Sequence, residues 1–264
     1  MAVGSKMRSI GSPDFNKKSS AKCTAFKIEV TMRYKTILFD LDGTLLPMDQ
    51  DVFVKTYFGM LAKTLAPRGY EPEKLIKAVW SGTGAMVKND GSKLNEQAFW
   101  DRFCEIFGES ARADEPHFAR FYEEVFDNVK VSCGHTPKAT EVISALKKSG
   151  ATLALATNPI FPAIATEKRI AWAGLCKDDF KLYTTYENSH YCKPSLKYYE
   201  EILEKLGVDA RDCLMVGNDV SEDMVAHKLG MDVFLLTNCL INKNGEDISL
   251  YPSGSFDDLL EYVK

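Results

Sequence analysis

Apolar residues in this chain follow two rhythms. Short unbroken runs at Thr36–Phe39, Thr152–Ala156, Lys181–Thr184, Cys213–Val216 and Val233–Leu236 have the length and composition of buried strands. Between or after them lie amphipathic stretches at Lys138–Ser149, Glu167–Gly174, Leu196–Leu206 and Asp223–Leu229, where apolar positions recur at helical spacing. Strand and helix patterns in alternation predict an α/β fold, a doubly wound, Rossmann-like parallel sheet with helices on both faces. Such a sheet binds its ligands beyond the carboxyl ends of its strands.

One interval breaks the alternation. After Asp40 the next strand begins only at Thr152, far beyond the ~30 residues of a strand–helix–strand unit. The surplus, residues 47–131, carries helical periodicity throughout: Val54, Tyr57, Phe58, Leu61 and Leu65 on one face, Leu75, Ile76, Val79 and Trp80 on another. Phe99, Phe103, Ile106 and Phe107, then Phe118, Phe121, Tyr122, Val125 and Phe126, continue it. These aromatic stripes are read as the core of a small helical bundle, with the wall of a substrate pocket as the alternative. The expected organisation is an α/β core of residues 32–46 and 132–264 with an inserted helical cap, 47–131. Within the insert, "SGTGAM" (Ser81–Met86) reads as a helix–helix turn. Were it instead a loop facing the crevice, Thr83 and Lys88 would be specificity candidates.

The chemistry lies where the strands stop. "KTILFDLDGTLLPM" ends its apolar run on two aspartates, Asp40 and Asp42. Alternate residues of an extended chain face the same way, so both carboxylates would look into the space above the sheet, and Gly43 would allow the turn that follows. Two carboxylates this close raise one another's pKa unless a cation sits between them. An acidic, oxygen-rich site of that kind suits Mg²⁺ together with a substrate phosphate. The bland alternative is an ordinary Asp/Gly turn. Three further strand ends tip the balance. "LALATNP" ends on Thr157 and Asn158, whose hydroxyl and amide can donate to phosphate oxygens. "YCKPSLKYYEEIL" sets Lys193 before a proline-led helix, and "CLMVGNDVSEDM" ends on Asn218 and Asp219, with Asp223 following. His135, next to the second connection of the insert, is read as a hinge-region residue, and Tyr186–Tyr191 as a border of the site.

These four segments, in this order, resemble the motifs of the haloacid dehalogenase-like hydrolases: "DLDGTL" the first, Thr157–Asn158 the second, Lys193 the third and "GNDVSED" the acidic fourth. The resemblance spans residues 32–264, and the helical insert after the first motif is similar to one of the family's cap types. It implies Asp40 as nucleophile forming an aspartyl-phosphate, and Asp42 as general acid and then base. It further implies Gly43, Thr157, Asn158 and Lys193 around the phosphoryl oxygens, and Mg²⁺ on Asp40, the Asp42 carbonyl and an acid of the fourth motif. That motif more commonly has Asp directly after Gly, where this chain has Asn218. Asp219 is therefore the expected ligand, since Mg²⁺ prefers anionic oxygen, and Asp223 the supporting acid. Retention of Asp42 favours phosphoryl chemistry over dehalogenation, which needs no leaving-group acid. The implied activity is a Mg²⁺-dependent phosphatase acting on a small phosphorylated metabolite. A sugar phosphomutase and a catalytically silent binding module stay open as alternatives.

Composition narrows the rest. The 264 residues are 45% hydrophobic and 27% charged, with net charge −4, so nucleic-acid binding has no electrostatic footprint. No apolar run approaches the ~20 residues of a membrane span. Seven scattered cysteines, with no C-x-x-C spacing, suit reduced thiols and a cytoplasmic setting. Residues 1–31 are polar, Ser- and Lys-rich, and expected to be a disordered tail. Monomer and homodimer are equally compatible with the sequence.

Overall fold

A computed structural model describes residues 33–264, with residues 1, 2 and 4. The expectation for the tail 1–31 therefore falls almost entirely outside the described residues. Within the unit Thr31–Lys264, six strands form one parallel sheet: β1 (Thr36–Phe39), β2 (Thr152–Leu155), β3 (Leu182–Tyr183), β4 (Cys213–Gly217), β5 (Asp232–Leu236) and β6 (Ser253–Gly254). Their order is β3-β2-β1-β4-β5-β6, and every neighbouring pair is parallel. Connections run outward from β1 to β2 and β3 on one side and from β4 to β5 and β6 on the other, so the strand order reverses between β1 and β4, the switch point at which such sheets open a crevice.

Burial on both faces explains the unbroken apolar runs. Ile37 and Phe39 of β1, with Leu153, Leu155, Leu214 and Val216, pack on Val142, Ile143 and Leu146 of α5 (Pro137–Lys148), Ile170 of α6 (Ala163–Trp172) and Leu259 of α8 (Phe256–Tyr262). Leu38, Ala154, Met215 and Leu235 face the other way, against Tyr198, Tyr199 and Ile202 of α7 (Leu196–Leu206) and Met224. The predicted helix at Asp223–Leu229 is a short 3-10 segment, Met224–Leu229. Strand β6 escapes sequence reading because Ser253–Gly254 carries no apolar signal.

Residues 50–132 are helical almost throughout. They comprise α1 (Gln50–Leu65), α2 (Pro72–Val87), α3 (Asn95–Phe107) and α4 (Glu115–Arg120), followed by a π-helical turn, Phe121–Val125, and a 3-10 segment, Phe126–Ser132. Asp49 caps α1 by accepting from the amides of Asp51 and Val52, and Glu71 caps α2 in the same way. The "SGTGAM" stretch is no turn: it lies inside α2. The first of its two glycines is there for packing, since a Cβ on Gly82 would sit 2.6 Å from the ring of Phe99 on α3. Glycine thus brings α2 and α3 together at a modest cost in helix propensity.

The aromatic stripes interlock. Phe103 is fully buried and lies within about 6 Å, centroid to centroid, of Tyr70, Phe99, Trp100, Phe107 and Phe118. Apolar contact runs unbroken from this cluster to the sheet-facing residues of α5 and β1. Phe103→Ala is expected to lower unfolding stability by about 3–5 kcal/mol, whereas Val131→Ala on the exposed surface changes it by under ~0.5 kcal/mol. Urea denaturation of the two variants checks this, and equal effects would contradict the packing described.

Candidate active site

Strand register brings the candidate residues to one level. Phe39 is paired with Leu155 on one side and Val216 on the other, so β1, β2 and β4 end together. The next residues stay tied: the Asp40 amide donates to Val216 O at 2.9 Å, and Ala156 N donates to Phe39 O at 2.7 Å. Beyond Asp40 the chain does not remain extended. It closes a turn in which Leu46 N donates to Leu41 O at 2.8 Å and Gly43 N to Leu46 O at 2.8 Å. Asp42 therefore reaches the crevice through a turn and not through strand alternation. Gly43 has φ of +88°, and a Cβ there would collide with the Asn218 side chain, so two constraints require glycine.

Lys193 stands at the centre. Its side chain is buried, and Nζ donates to Asp40 Oδ1 at 2.8 Å and to Asp223 Oδ1 at 2.7 Å. An ammonium has three donors, so one remains for a further acceptor. Burial alone would pull the Lys193 pKa down, but the Asp223 and Asp40 carboxylates outweigh it and keep the ammonium charged. Lys193 and Pro194 lie in a turn, and α7 starts only at Leu196 with Ser195 as its cap, so the helix is not proline-led.

Asp223 joins the two halves of this arrangement. While Oδ1 holds Lys193, Oδ2 accepts the amides of Asn218 and Asp219, both at 3.0 Å. Gly217 makes room for this, since a Cβ there would collide with the Asp223 carboxylate. Burial pushes the Asp223 pKa up, Lys193 pulls against that, and the Asp40 charge adds to the rise.

Asn218 and Asp219 differ in what they have left to offer. Asn218 is buried with both ends of its amide engaged: Oδ1 lies 2.9 Å from Thr44 Oγ1, and Nδ2 donates to Cys239 O at 2.6 Å. The Thr44 hydroxyl also lies 3.0 Å from Asp40 Oδ2, and its single proton serves one acceptor at a time. Asp219 Oδ1 accepts from the amides of Ser221 and Glu222 at 2.8 and 2.9 Å, which holds the carboxylate at the mouth of the crevice. Thr157 and Asn158 border the same space. The Thr157 carbonyl is pinned by Thr184 Oγ1 and Tyr198 OH, at 2.6 and 2.8 Å. Asn158 Nδ2 donates to Glu222 Oε2 at 3.2 Å, while its Oδ1 is buried without a partner among the described residues.

Arg169 was not legible as a site residue. It is fully buried on α6, ion-paired with Asp42 Oδ2 and seated 4.5 Å over the ring of Phe161. Its one sequence signal is a charge on the apolar face of "AIATEKRIAW", beside Ala165 and Ile170. Burial raises the Asp42 pKa, the Arg169 guanidinium opposes this and Asp40 adds to it. Asp42 Oδ1 is buried and has no partner among the described residues. Glu222 is a second omission: burial pushes its pKa up, and it faces the same cavity. Lys88, a candidate had its segment been a loop facing the crevice, is exposed at the end of α2, and His135, read as a hinge-region residue, lies beside Gly174. Thr83 and Tyr186 do line the cavity.

Five carboxylates, from Asp40, Asp42, Asp219, Glu222 and Asp223, border a cavity of about 350 Å³. The cations paired to them are Lys193 and Arg169. Acidic groups outnumber the cations paired to them, and a divalent cation bound through oxygen would favour their ionised form. No three His, Cys, Asp or Glu side chains among the described residues are grouped to hold a metal alone, so any cation there needs a backbone oxygen or substrate as well. The six described cysteines are free, and no described helix is long and apolar enough to cross a membrane.

Comparison with known proteins gives a consistent picture. Over 200 residues the chain is 28% identical to a phosphoglycolate phosphatase of Agrobacterium fabrum, covering 72% of this chain and 74% of that protein. It is 24% identical over 230 residues to a glyceraldehyde 3-phosphate phosphatase of Methanothermobacter thermautotrophicus, covering 82% and 94%. A solved structure of 2-haloacid dehalogenase from Pseudomonas syringae has the same fold, with a TM-score of 0.58 at 20% identity, covering 86% of this chain and 97% of that one. The family model for haloacid dehalogenase-like hydrolases matches residues 34–230, a span that includes Asp40, Lys193 and Asp219: the chain is an enzyme belonging to that family.

Proposed function

We propose that this hydrolase is a Mg²⁺-dependent phosphatase that transfers the phosphoryl group of a small phosphorylated metabolite first to Asp40 and then to water. The observation that carries the reading is the convergence of Asp40, Lys193 and Asp223 in one buried hydrogen-bonded cluster at the ends of β1 and β4.

Each residue has a part in the reaction. An oxygen of the Asp40 carboxylate attacks phosphorus, and the bond from phosphorus to the leaving oxygen breaks. Asp42, whose burial favours the protonated form and whose Oδ1 is free, gives that oxygen its proton. The resulting carboxylate takes a proton from water, which attacks phosphorus and expels Asp40. Asp42 is thereby reprotonated. Lys193 uses its remaining donor on a phosphoryl oxygen, joined by Thr157, Asn158 and the backbone at Gly43. Arg169 positions Asp42 through Oδ2.

Asp40, the Asp42 carbonyl and Asp219 would hold Mg²⁺, with Asp223 supporting from behind. When bound, the ion offsets repulsion between nucleophile and phosphate. The engaged amide of Asn218 supports Asp219 as the ligand. Residues 47–131 serve as a cap that closes on the substrate and excludes bulk water. Asp42 supports phosphoryl transfer over dehalogenation. A largely apolar chamber has few partners for sugar hydroxyls, which supports water as acceptor over phosphomutase chemistry. At 24–28% identity, the substrates in the relatives' names are not carried over.

Two outcomes are expected. Asp40→Asn removes the nucleophile and lowers kcat for p-nitrophenyl phosphate at least ~10³-fold without altering the melting temperature by more than a few degrees. Phosphate-release kinetics beside a thermal melt check this, and a variant as active as the parent would leave the silent binding module as the better reading. Mg²⁺ is expected to raise the melting temperature of the parent through its binding energy. Asp219→Asn is expected to abolish that increment while Asn218→Asp keeps it, and the reverse would move the ligand to residue 218.

A further inference from the structure

The cavity is divided by charge. All five of its acids lie at the strand ends, while the wall supplied by α1, α2 and α3 is aromatic, including Phe53, Tyr57, Phe58, Trp80, Phe99 and Trp100. Among the described residues, no Lys, Arg or His lines it. Lys193 and Arg169 lie behind the lining, paired with Asp40, Asp223 and Asp42, and the one spare donor of Lys193 serves the phosphoryl group. A leaving group that occupies the chamber beyond the phosphoryl site therefore meets aromatic rings.

A second negative charge on the leaving group fares badly there. It loses water, gains no cation and approaches acids already in surplus. The polar atoms on the helical wall do little to offset this. The Thr83 hydroxyl donates to Val79 O at 3.0 Å, the hydroxyls of Tyr57 and Tyr122 lie 2.8 Å apart, and Trp100 Nε1 is a buried donor with no partner among the described residues. All are neutral and supply no countercharge. An uncharged ring-sized group, by contrast, buries apolar surface against Phe, Tyr and Trp, with edge and stacking contacts available. About 350 Å³ is at the small end of ligand sites, enough for a phosphoryl group with one ring or a short apolar chain.

Resting on the phosphatase reading, we propose that the substrate is a phosphomonoester of an uncharged, largely apolar alcohol, and that alcohols bearing a second anion are disfavoured. This sets the chain apart from enzymes acting on phosphorylated carboxylic acids, whose product alcohol is itself an anion. It also constrains the supplying reaction: the phosphoryl group must have been placed on a neutral, apolar hydroxyl compound by a kinase-type transfer or released with it from a phosphodiester.

Steady-state kinetics with Mg²⁺ on benzyl phosphate and 2-phosphoglycolate test the proposal, since both are alkyl phosphates and differ chiefly in ring versus carboxylate. The expected result is a kcat/KM at least about 100-fold higher for benzyl phosphate. A second arm installs the missing cation: Thr83→Lys is expected to shift the ratio toward 2-phosphoglycolate by at least about 10-fold relative to Thr83→Gln, which is uncharged. Equal or better use of 2-phosphoglycolate by the parent overturns the substrate class and leaves the phosphatase reading standing. Failure to hydrolyse either compound or p-nitrophenyl phosphate overturns both.

Discussion

One buried ammonium holds the active end of this fold together. Lys193 bridges Asp40 on the β1 end and Asp223 behind the β4 end, and all three are nearly inaccessible to solvent. Desolvating a charge is costly unless it is paired, so removing the lysine would leave two buried carboxylates without their counterion. The same pairing explains the glycines. Gly217 leaves room for Asp223, and Gly43 turns the chain under Asn218, so the backbone is shaped to let charged side chains meet. Sheet register does the remainder by ending β1, β2 and β4 at one level.

Around this cluster the site works by contrast between its two halves. The strand ends are crowded with acids whose pKa values burial pushes up at Asp42, Glu222 and Asp223, which suits proton transfer. The helical wall is aromatic, a lining of low polarity beside the acids. Asp42 stands at the junction, one oxygen held by Arg169 and the other without a partner among the described residues. In the proposed reaction that single carboxyl serves as acid and base without changing place.

Much of this was written in the sequence, and what was not has physical reasons. Unbroken apolar runs disclosed β1, β2, β4 and β5 because strands buried on both faces need no alternation. Strand β6 is two residues, Ser253–Gly254, joined by backbone pairing alone, which leaves no side-chain pattern. "SGTGAM" misled because glycines usually mark turns, whereas here Gly82 admits the Phe99 ring between two helices. The aromatic stripes were offered as core or pocket, and they are both: Tyr57, Phe58 and Phe99 are buried and also line the cavity. Asp40 and Asp42 are legible as carboxylates closing an apolar run, Lys193 as a cation before a predicted helix, and Asp223 as an acid just past a strand end. Arg169 is not, since its partner is 127 positions away and only the fold brings them together.

The central claim is that a phosphorus–oxygen bond forms at residue 40 during turnover. Acid-quenching the enzyme with excess substrate, reducing the acyl phosphate with borohydride and sequencing the peptides by mass spectrometry tests it directly. Homoserine in place of Asp40 is the result expected, at a level that falls away in unreacted enzyme. Intact aspartate at 40 after demonstrated turnover, or reduction at a different carboxylate, would contradict the account.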